Sequence, residues 1–250
     1  MTSRFSSHAL FSPAWWLVFA VTLAVCALTF RLGLWQLGRA QYKEQQHATQ
    51  LAQRERPPLL NADVLQAEAS DATRLHRAVD IQGEWLSRYT VYLANRSMGA
   101  RVGFWVLTPL RLQDGSAVLV LRGWAPRDLT YSDKLPPIET PAGVVRVRGH
   151  WVPEPSHMME LAAPQTQNPE GFVTLRQNID LSDFARDSGL HLRGTVQQAG
   201  DPSEGLWRDW PTILTGADKN RAYALQWFAL SALCAGLFIW FQIIQKRRHG

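Results

Sequence analysis

The chain has little cysteine: of its 250 residues only two are cysteines, Cys26 and Cys234. Both fall inside long apolar runs near the two ends of the chain, and the segment between the runs has none. That segment therefore cannot hold a disulfide framework or a thiolate metal site. Its lack of cysteine also suits an oxidising compartment, where unpaired thiols risk mispairing.

A basic stripe is also missing, although the net charge is +5. In the middle of the chain, acidic residues such as Glu84 and Asp114 interleave with arginines such as Arg88. Part of the positive excess comes from the terminal cluster Lys246-Arg247-Arg248. Because nucleic-acid-binding surfaces concentrate Lys and Arg on one face, we expect no nucleic-acid partner.

The usual catalytic patterns are absent as well. The sequence has no Gly-rich phosphate loop, no nucleophile elbow and no histidine pair at helical spacing. His157-Met158-Met159 could offer soft ligands to monovalent copper, or it could form an ordinary loop after Pro155. The loop is favoured because a soft-metal site usually needs further Met or Cys donors. We therefore expect neither catalytic residues nor a metal site, and predict that the protein is not an enzyme.

Two long apolar runs are the main positive feature. The run 222–244 carries no charge, and aromatic residues such as Trp227 and Trp240 stand towards its two ends, as is typical of a membrane span. A buried helix of a soluble core is the alternative, but such helices are usually shorter. The run 14–34 is a second predicted span, in which Arg31 extends its head to the interface. A cleaved signal peptide is the alternative there, although no convincing cleavage site follows.

Two spans place both termini on one side of the membrane. The cluster Lys246-Arg247-Arg248 favours a cytoplasmic C-terminus, which leaves the middle of the chain outside the cytoplasm. We therefore expect a multi-pass protein of a bacterial-type inner membrane. The predicted divisions are a cytoplasmic N-terminus 1–13, a transmembrane helix 14–34, a helical extension and linker 35–58, an extracytoplasmic β-rich domain 59–218, a transmembrane helix 222–244 and a basic tail 245–250.

The middle of the chain reads as mostly antiparallel β-structure with one or two short helices, in a small barrel or folded sheet. The clearest hairpin joins 104–112 to 117–122 through Asp114-Gly115. Pro109 lacks an amide donor, which predicts a sheet edge or a bulge at its position. Asp180 and Asp183 are expected to open a short helix of two turns. The remaining predicted strands are 77–83, 89–95, 143–151, 172–176 and 195–198.

Small residues four apart, such as Ala20 with Ala24 and Ser231 with Ala235, allow close helix approach. They would serve equally for packing the two spans on each other or for docking to a partner.

Arg122-Gly123-Trp124 follows the apolar run 118–121. It predicts either a binding corner or a packed strand end.

Several short motifs follow one another along the chain: Gly33-Leu34-Trp35-Gln36-Leu37-Gly38-Arg39 followed by Lys43, Asn95-Arg96, Gly103 with 106–110, Asp114-Gly115, Val120-Leu121-Arg122-Gly123-Trp124, and Tyr223-Ala224-Leu225-Gln226-Trp227-Phe228. Taken in this order, they resemble the surfeit-locus-one (Shy-type) family, and the resemblance covers nearly the whole chain, with both spans placed as in that family.

The resemblance implies an assembly factor for the haem–copper cytochrome c oxidase, which assists haem a insertion into the catalytic subunit or stabilises that subunit. Its implied partners are that subunit, haem a synthesis or other assembly proteins, and the lipid bilayer. The family-motif residues expected to dock partners are Trp35, Gln36, Arg39, Arg96, Gly103, Arg122, Gly123 and Trp124. The alternative function is a membrane-anchored periplasmic ligand-binding or sensory module.

One departure from the family bears on the cofactor. Many members carry a histidine, a proposed haem ligand, three residues before the tyrosine that opens the second span. Asn220 holds that position here, followed by Arg221. An amide is a poor iron ligand compared with imidazole, so we expect no tightly bound cofactor and at most transient contact with haem a. Haem-proximal candidates are Asn220, Arg221, Tyr223 and Trp227.

Overall fold

A computed structural model describes residues 13–67, 71–128, 135–155, 166–169, 171–210 and 216–245. The chain divides into two compact units, one formed by Met1–Ala48 with Ile213–Gly250 and the other by Thr49–Thr212. The copper motif at His157 and the basic tail from Lys246 lie outside the described residues.

The first unit is a pair of long helices. Helix α1 is Pro13–Arg54, and helix α4 is Ala217–Ile239, continued by a π-helical segment, Trp240–Gln245. Both helices are long and apolar enough to cross a membrane. Helix α1 runs without a break through the expected extension and ends at Arg54, ahead of Pro57-Pro58, which cannot continue a helix. The predicted architecture, two membrane helices flanking a β-rich domain, is confirmed.

In its described residues, the second unit is a seven-stranded sheet with two short α-helices and two single-turn 3₁₀ helices. Helix α2 is Asn61–Leu65 and helix α3 is Leu181–Ser188. The strands are β1 (Ala78–Trp85), β2 (Val91–Met98), β3 (Arg101–Arg111), β4 (Ala117–Pro126), β5 (Val144–Val152), β6 (Leu175–Arg176) and β7 (Leu192–Gln198).

The sheet closes on itself. Its strand order is β1-β5-β7-β4-β3-β2-β6, and β1 also pairs with β3, where Trp85 lies opposite Leu110. Strands β4 and β7 are parallel, as are β2 and β6, whereas the other pairs are antiparallel. Strand β4 lies between β3 and β7 and is buried along nearly its whole length, which explains why the run 118–121 is apolar at every position. Closure leaves few free edges, which protects such a sheet from edge-to-edge association.

The domain has two main apolar clusters, one on each face of the central strands. One cluster includes Val79, Val118 and Trp151, and the other includes Leu119 and Phe184 of helix α3. Alternate residues of β4 pack into opposite clusters because successive side chains point to opposite faces of a strand. As predicted, Asp180 caps α3: its carboxylate accepts hydrogen bonds from the amides of Ser182 and Asp183.

The prediction for Pro109 was wrong about an edge, because β3 is an interior strand. Pro109 lies where β3 changes neighbour, between its pairing with β2, which ends at Leu107, and its pairing with β1 at Leu110. Its carbonyl accepts a hydrogen bond from the amide of Leu86 on that side, at 2.9 Å. The nitrogen of Pro109 therefore faces the gap between β1 and β2, where no strand offers a carbonyl to pair with, so the lack of an N–H costs no ladder hydrogen bond.

Candidate functional site

A bulge in β4 sets the position of Arg122. Gly123 pairs with Val106 and Leu121 pairs with Leu107, so Arg122 is the extra residue of the bulged strand. Its guanidinium is fully buried and donates to the Glu139 carbonyl at 2.6 Å. It also donates to the Thr140 hydroxyl at 2.9 Å and lies 4.7 Å from the ring centre of Trp85. The bulge thus turns a charged side chain into the domain, where polar groups and an aromatic face hold it.

A second buried arginine shares the carboxylate that balances Arg122. Glu204 accepts from Arg122 at 2.8 Å and from Arg208 at 3.3 Å through the same oxygen. Arg208 also donates to the Arg122 carbonyl at 2.7 Å and to the Ser203 hydroxyl at 2.7 Å. Burial lowers the pKa of Arg208, and the charge of Glu204 opposes that shift. These contacts fasten the segment 201–208 to strand β4.

The Trp124 ring packs against the neighbouring motif residues. Its indole N–H donates to the Arg96 carbonyl at 2.8 Å, and Arg96 lies 4.7 Å from the ring centre of Trp105. A Cβ added to Gly103 would lie 2.6 Å from the Trp124 ring, and one added to Gly123 would lie 2.7 Å from the Leu206 Cβ. Glycine is therefore required at both positions for close packing. The domain's motif residues are buried together as structural contacts, and their part in docking stays a prediction.

The polar cluster of the helix pair is centred on Asn220. Lys43 donates to the Asn220 amide oxygen at 2.7 Å, and the Asn220 amide nitrogen donates to Gln36 at 2.6 Å. Gln36 and Lys43 lie seven residues apart, on one face of α1. Asn220 thus joins α4 to two positions of α1 that lie about two turns apart, and both ends of its amide are engaged.

The other candidates in this unit lie nearer its surface. Arg221 forms an ion pair with Glu44 at 2.6 Å. Trp35 is 60% exposed and Tyr223 is 54% exposed, while Trp227 is half-buried. Arg39 is exposed and makes no ion pair with the residues that the structure describes. Trp35 and Arg39 are therefore available for contact from outside this unit.

The apolar parts of the helices pack antiparallel on each other. The Ser231 hydroxyl donates to the Cys26 carbonyl at 3.1 Å, and Cys26 donates through its thiol to the Ser231 carbonyl at 3.5 Å. A Cβ on Gly33 would collide with the Phe228 ring. Small and polar residues thus allow close helix approach, as predicted, although the exposed Ala20–Ala24 pair takes no part.

Two histidines that the sequence places far apart come together in the β-domain. Ala78 pairs with His150, and the amide of His76 donates to the Trp151 carbonyl at 2.8 Å. Burial, and then the charge of Arg54, lower the pKa of both imidazoles. Within the described ranges, no group of three or more His, Cys, Asp or Glu residues could hold a metal ion.

Glu204 and Arg208 are the residues that sequence reasoning missed, because they lie outside every predicted strand and helix and outside every quoted motif. Their spacing of four residues, with opposite charges and tryptophans beside Arg208, was the available signal. Arg122, the other partner of Glu204, lies 82 residues away from it in the chain, so the sequence could not show that these charges meet.

The fold and these contacts define a membrane-anchored β-barrel protein whose two apolar helices form a hydrogen-bonded pair. Residues 23–232 match the model of the SURF1 family, and the chain belongs to that family. The resemblance to the surfeit-locus-one family is thereby confirmed.

Curated relatives agree with this membership. A SURF1-like protein of Monosiga brevicollis is 26% identical over 247 residues, which span 91% of this chain and 88% of that protein. A SURF1-like protein of Dictyostelium discoideum is 29% identical over 44% of this chain and 43% of its own length. One from Rickettsia felis is 31% identical over 42% of this chain and 44% of its own length.

Proposed function

We propose that this protein is an assembly factor for a haem–copper cytochrome c oxidase, and that it assists haem a insertion into the catalytic subunit or stabilises that subunit. The observation that carries the proposal is membership of the SURF1 family over residues 23–232. The matched region takes in the β-domain and most of both apolar helices. The protein acts in this proposal by binding, with no reaction of its own.

The arrangement of the helix pair supports a binding role. Gln36 and Lys43 are used in joining α1 to α4, whereas Trp35 and Arg39 of the same stretch are exposed. Exposed tryptophan and arginine are the side chains most enriched where proteins contact one another. They are therefore the residues proposed to meet the oxidase subunit.

The cofactor part of the proposal is that haem a contacts the chain only transiently. Asn220 would have to release Lys43 or Gln36 before its amide could approach an iron atom. Arg221 is likewise engaged with Glu44, although it is more than half exposed. Tyr223 and Trp227, on the following turns of α4, are the remaining candidates for contact with a porphyrin.

The location of the protein is proposed to be a bacterial-type inner membrane, with both termini in the cytoplasm and the β-domain outside. Two apolar helices support the membrane attachment. An impermeant thiol reagent should label a cysteine introduced at the exposed Ser182 in intact cells. Labelling only after cell lysis would show that the β-domain faces the cytoplasm, which contradicts the proposed orientation.

The central experiment is deletion of the gene followed by complementation. Deletion should remove the haem a absorbance from membranes while other cytochromes remain, and the wild-type chain should restore it. The Trp35→Ala variant should restore it poorly, whereas Trp16→Ala, near the start of the same helix and also more than half exposed, is the matched control. A deletion strain with a normal oxidase spectrum would reject the proposal.

Purification tests the partner and the cofactor. The wild-type chain, isolated from cells that make haem a, should carry the catalytic subunit, and should keep no haem absorption band once that subunit has been washed away. A stoichiometric band that stays with this chain alone would overturn the cofactor part, and absence of the subunit would overturn the partner part.

One observation favours a ligand-binding module as the second candidate. The β-domain contains a cavity of about 600 Å³. Its lining is rich in hydroxyl and amide groups, among them Thr90, Tyr92, Thr140, Asn168 and Thr174. If this candidate is correct, small polar compounds should raise the melting temperature of the full chain, and a Thr174→Trp variant should abolish that effect.

A further inference from the structure

The stretch of helix α1 just beyond its apolar run carries two arginines without acidic partners. Arg31 and Arg39 are exposed, and neither forms an ion pair within the part of the chain that the structure describes. Glu44 is the one acidic residue of α1, and its carboxylate is paired with Arg221 of α4 at 2.6 Å. Two positive charges therefore stand on this stretch with no free carboxylate of their own helix to balance them.

This stretch lies where the helix pair passes from hydrocarbon to water. The uncharged run of α1 ends at Phe30, and that of α4 begins at Ala222. Ala222 follows closely after Asn220, which is hydrogen-bonded to Gln36 and Lys43 of α1. From Phe30 to Gln36 a helix rises about 9 Å, which is comparable with the thickness of one lipid headgroup layer. The two arginines are therefore at the level of the headgroups.

The arginines share one side of α1 with three other residues. At about 100° per residue, all five positions fall within an arc of about 100°, and the contacts with α4 lie on the other side of the helix. We call this side the donor face: Arg31, Trp35, Gly38, Arg39 and Tyr42. Trp35 and Tyr42 are each more than half exposed, so the face is accessible from the membrane.

Every polar side chain of the donor face offers a hydrogen-bond donor. Guanidinium and indole groups donate but do not accept. The Tyr42 hydroxyl already accepts from the side-chain nitrogen of Gln46 at 2.7 Å, so its own proton remains for an outside acceptor. Water can accept these hydrogen bonds but brings no charge. The group that suits this face best therefore supplies several acceptors and a negative charge.

Gly38 indicates that something approaches the helix closely at the centre of this face. Glycine inside a helix is destabilising relative to alanine, so its presence needs a reason. A Cβ added to Gly38 would meet no atom within 4 Å in the part of the chain that the structure describes, whereas the Phe228 ring fills the space beside Gly33. Packing inside the protein explains Gly33 but not Gly38. The bare backbone at Gly38 leaves a recess beside Trp35 and Tyr42, which lie three residues before it and four after it.

We propose that the donor face binds an anionic phospholipid, whose headgroup lies over Gly38 and whose phosphate accepts hydrogen bonds from the two guanidiniums. A phosphodiester supplies both the acceptors and the negative charge, and anionic headgroups attract basic residues at the membrane surface. A zwitterionic headgroup fits less well, because its ammonium group would find no free carboxylate on α1.

The inference rests on the membrane span and not on the oxidase role. In the proposed function, Trp35 and Arg39 meet the oxidase subunit, so the lipid holds this face while that subunit is absent.

Lipid retention by the purified full-length chain tests the proposal. The chain is placed in nanodiscs that contain equal amounts of phosphatidylglycerol and phosphatidylcholine, and the lipids that stay bound on release are counted by native mass spectrometry. The wild-type chain should prefer phosphatidylglycerol about tenfold or more, since each basic residue near an anionic surface contributes about a factor of five. Equal retention of the two lipids would overturn the proposal.

Two charge variants separate a site from a general effect of net charge. Arg39→Gln should lower the preference for phosphatidylglycerol about fivefold. Lys219→Gln removes the same charge from an exposed position of α4, next to Asn220, and should leave the preference within about twofold of the wild type. Equal losses with the two variants would show a general charge effect and overturn the proposal.

Gly38→Leu tests the recess. The leucine side chain would cover the bare backbone and should lower the preference as much as Arg39→Gln does. The melting temperature should not fall, because leucine favours a helix more than glycine and the added atoms meet no neighbour in the described residues. An unchanged preference would overturn the placement of the headgroup over Gly38.

Crosslinking identifies the occupant in native membranes. A photoreactive analogue of phenylalanine in place of Tyr42 is used in cells that lack the oxidase catalytic subunit. It should be recovered on an anionic phospholipid, whereas recovery on a second copy of this chain or on another protein would overturn the proposal. Because the oxidase subunit is absent from these cells, failure of the proposed function would leave this result unchanged.

Discussion

Replacing Glu204 by glutamine tests the charge network that fastens the segment 201–208 to strand β4. The change removes the negative charge shared by Arg122 and Arg208 but keeps the size of the side chain. Arg122 is fully buried, and Arg208 is nearly so, so both guanidiniums would be left without this carboxylate. Breaking a buried ion pair on one side costs about 3–5 kcal/mol.

Two details favour the lower end of that range. Glu204 keeps 19% of its side-chain exposure, so water can partly replace its charge. A glutamine oxygen can also still accept one hydrogen bond. We therefore expect a loss of about 3 kcal/mol, which corresponds to about 6–12 °C in melting temperature for a domain of this size.

The assay is thermal unfolding of the full chain in detergent, followed by near-ultraviolet circular dichroism of the buried tryptophans. Glu139→Gln is the matched control, because that exposed residue contacts Arg122 only through its backbone carbonyl. A melting temperature for Glu204→Gln within 2 °C of the control would refute the reasoning, since the carboxylate would then contribute no more than a surface charge.

Three further predictions concern other contacts. Gly103→Ala places a Cβ 2.6 Å from the Trp124 ring and should cost about 1–3 kcal/mol in thermal unfolding, whereas Gly38→Ala, with no atom within 4 Å, should not destabilise. Burial lowers the pKa of His76 and His150 in the folded chain. Below pH about 6.5 the unfolded chain therefore binds more protons than the folded chain, so the free energy of unfolding measured in urea should fall from pH 7.5 to 5.5. His150→Gln should reduce that fall, and an unchanged slope would contradict it. Asn220→Leu removes two hydrogen bonds and should lower the free energy of unfolding of the helix pair by about 1–3 kcal/mol in a denaturant titration. Gln226→Leu is the control, and equal stability of the two variants would contradict the prediction.

Much of the fold follows from local patterns that the sequence displays. The residues of β4 are apolar at every position from Val118 to Leu121, because this strand is buried on both faces. The cap of α3 was equally readable, since Asp180 precedes the helix and its carboxylate accepts the first amides. Both signals involve residues within a few positions of one another, where backbone geometry fixes the contacts.

Contacts between distant residues could not be predicted in the same way. Barrel closure depends on Trp85 meeting Leu110, and the charge network depends on Arg122 meeting Glu204. Nothing in the local sequence records such pairings, since they result from strand register and from bulges. The misreading of Pro109 has the same origin: its missing donor matters only relative to neighbouring strands that its own sequence does not specify.

The motif that begins at Gly33 shows why a motif can reveal a family without revealing roles. A helix turns about 100° per residue, so adjacent letters of the motif point to different faces. Gly33 and Gln36 therefore reach α4, whereas Trp35 and Arg39 are exposed. Changes at the first pair should therefore destabilise the helix pair, whereas changes at the second pair should leave its stability unchanged. The same short motif thus combines residues that hold the two helices together with residues that stay exposed, and only the helix geometry separates them.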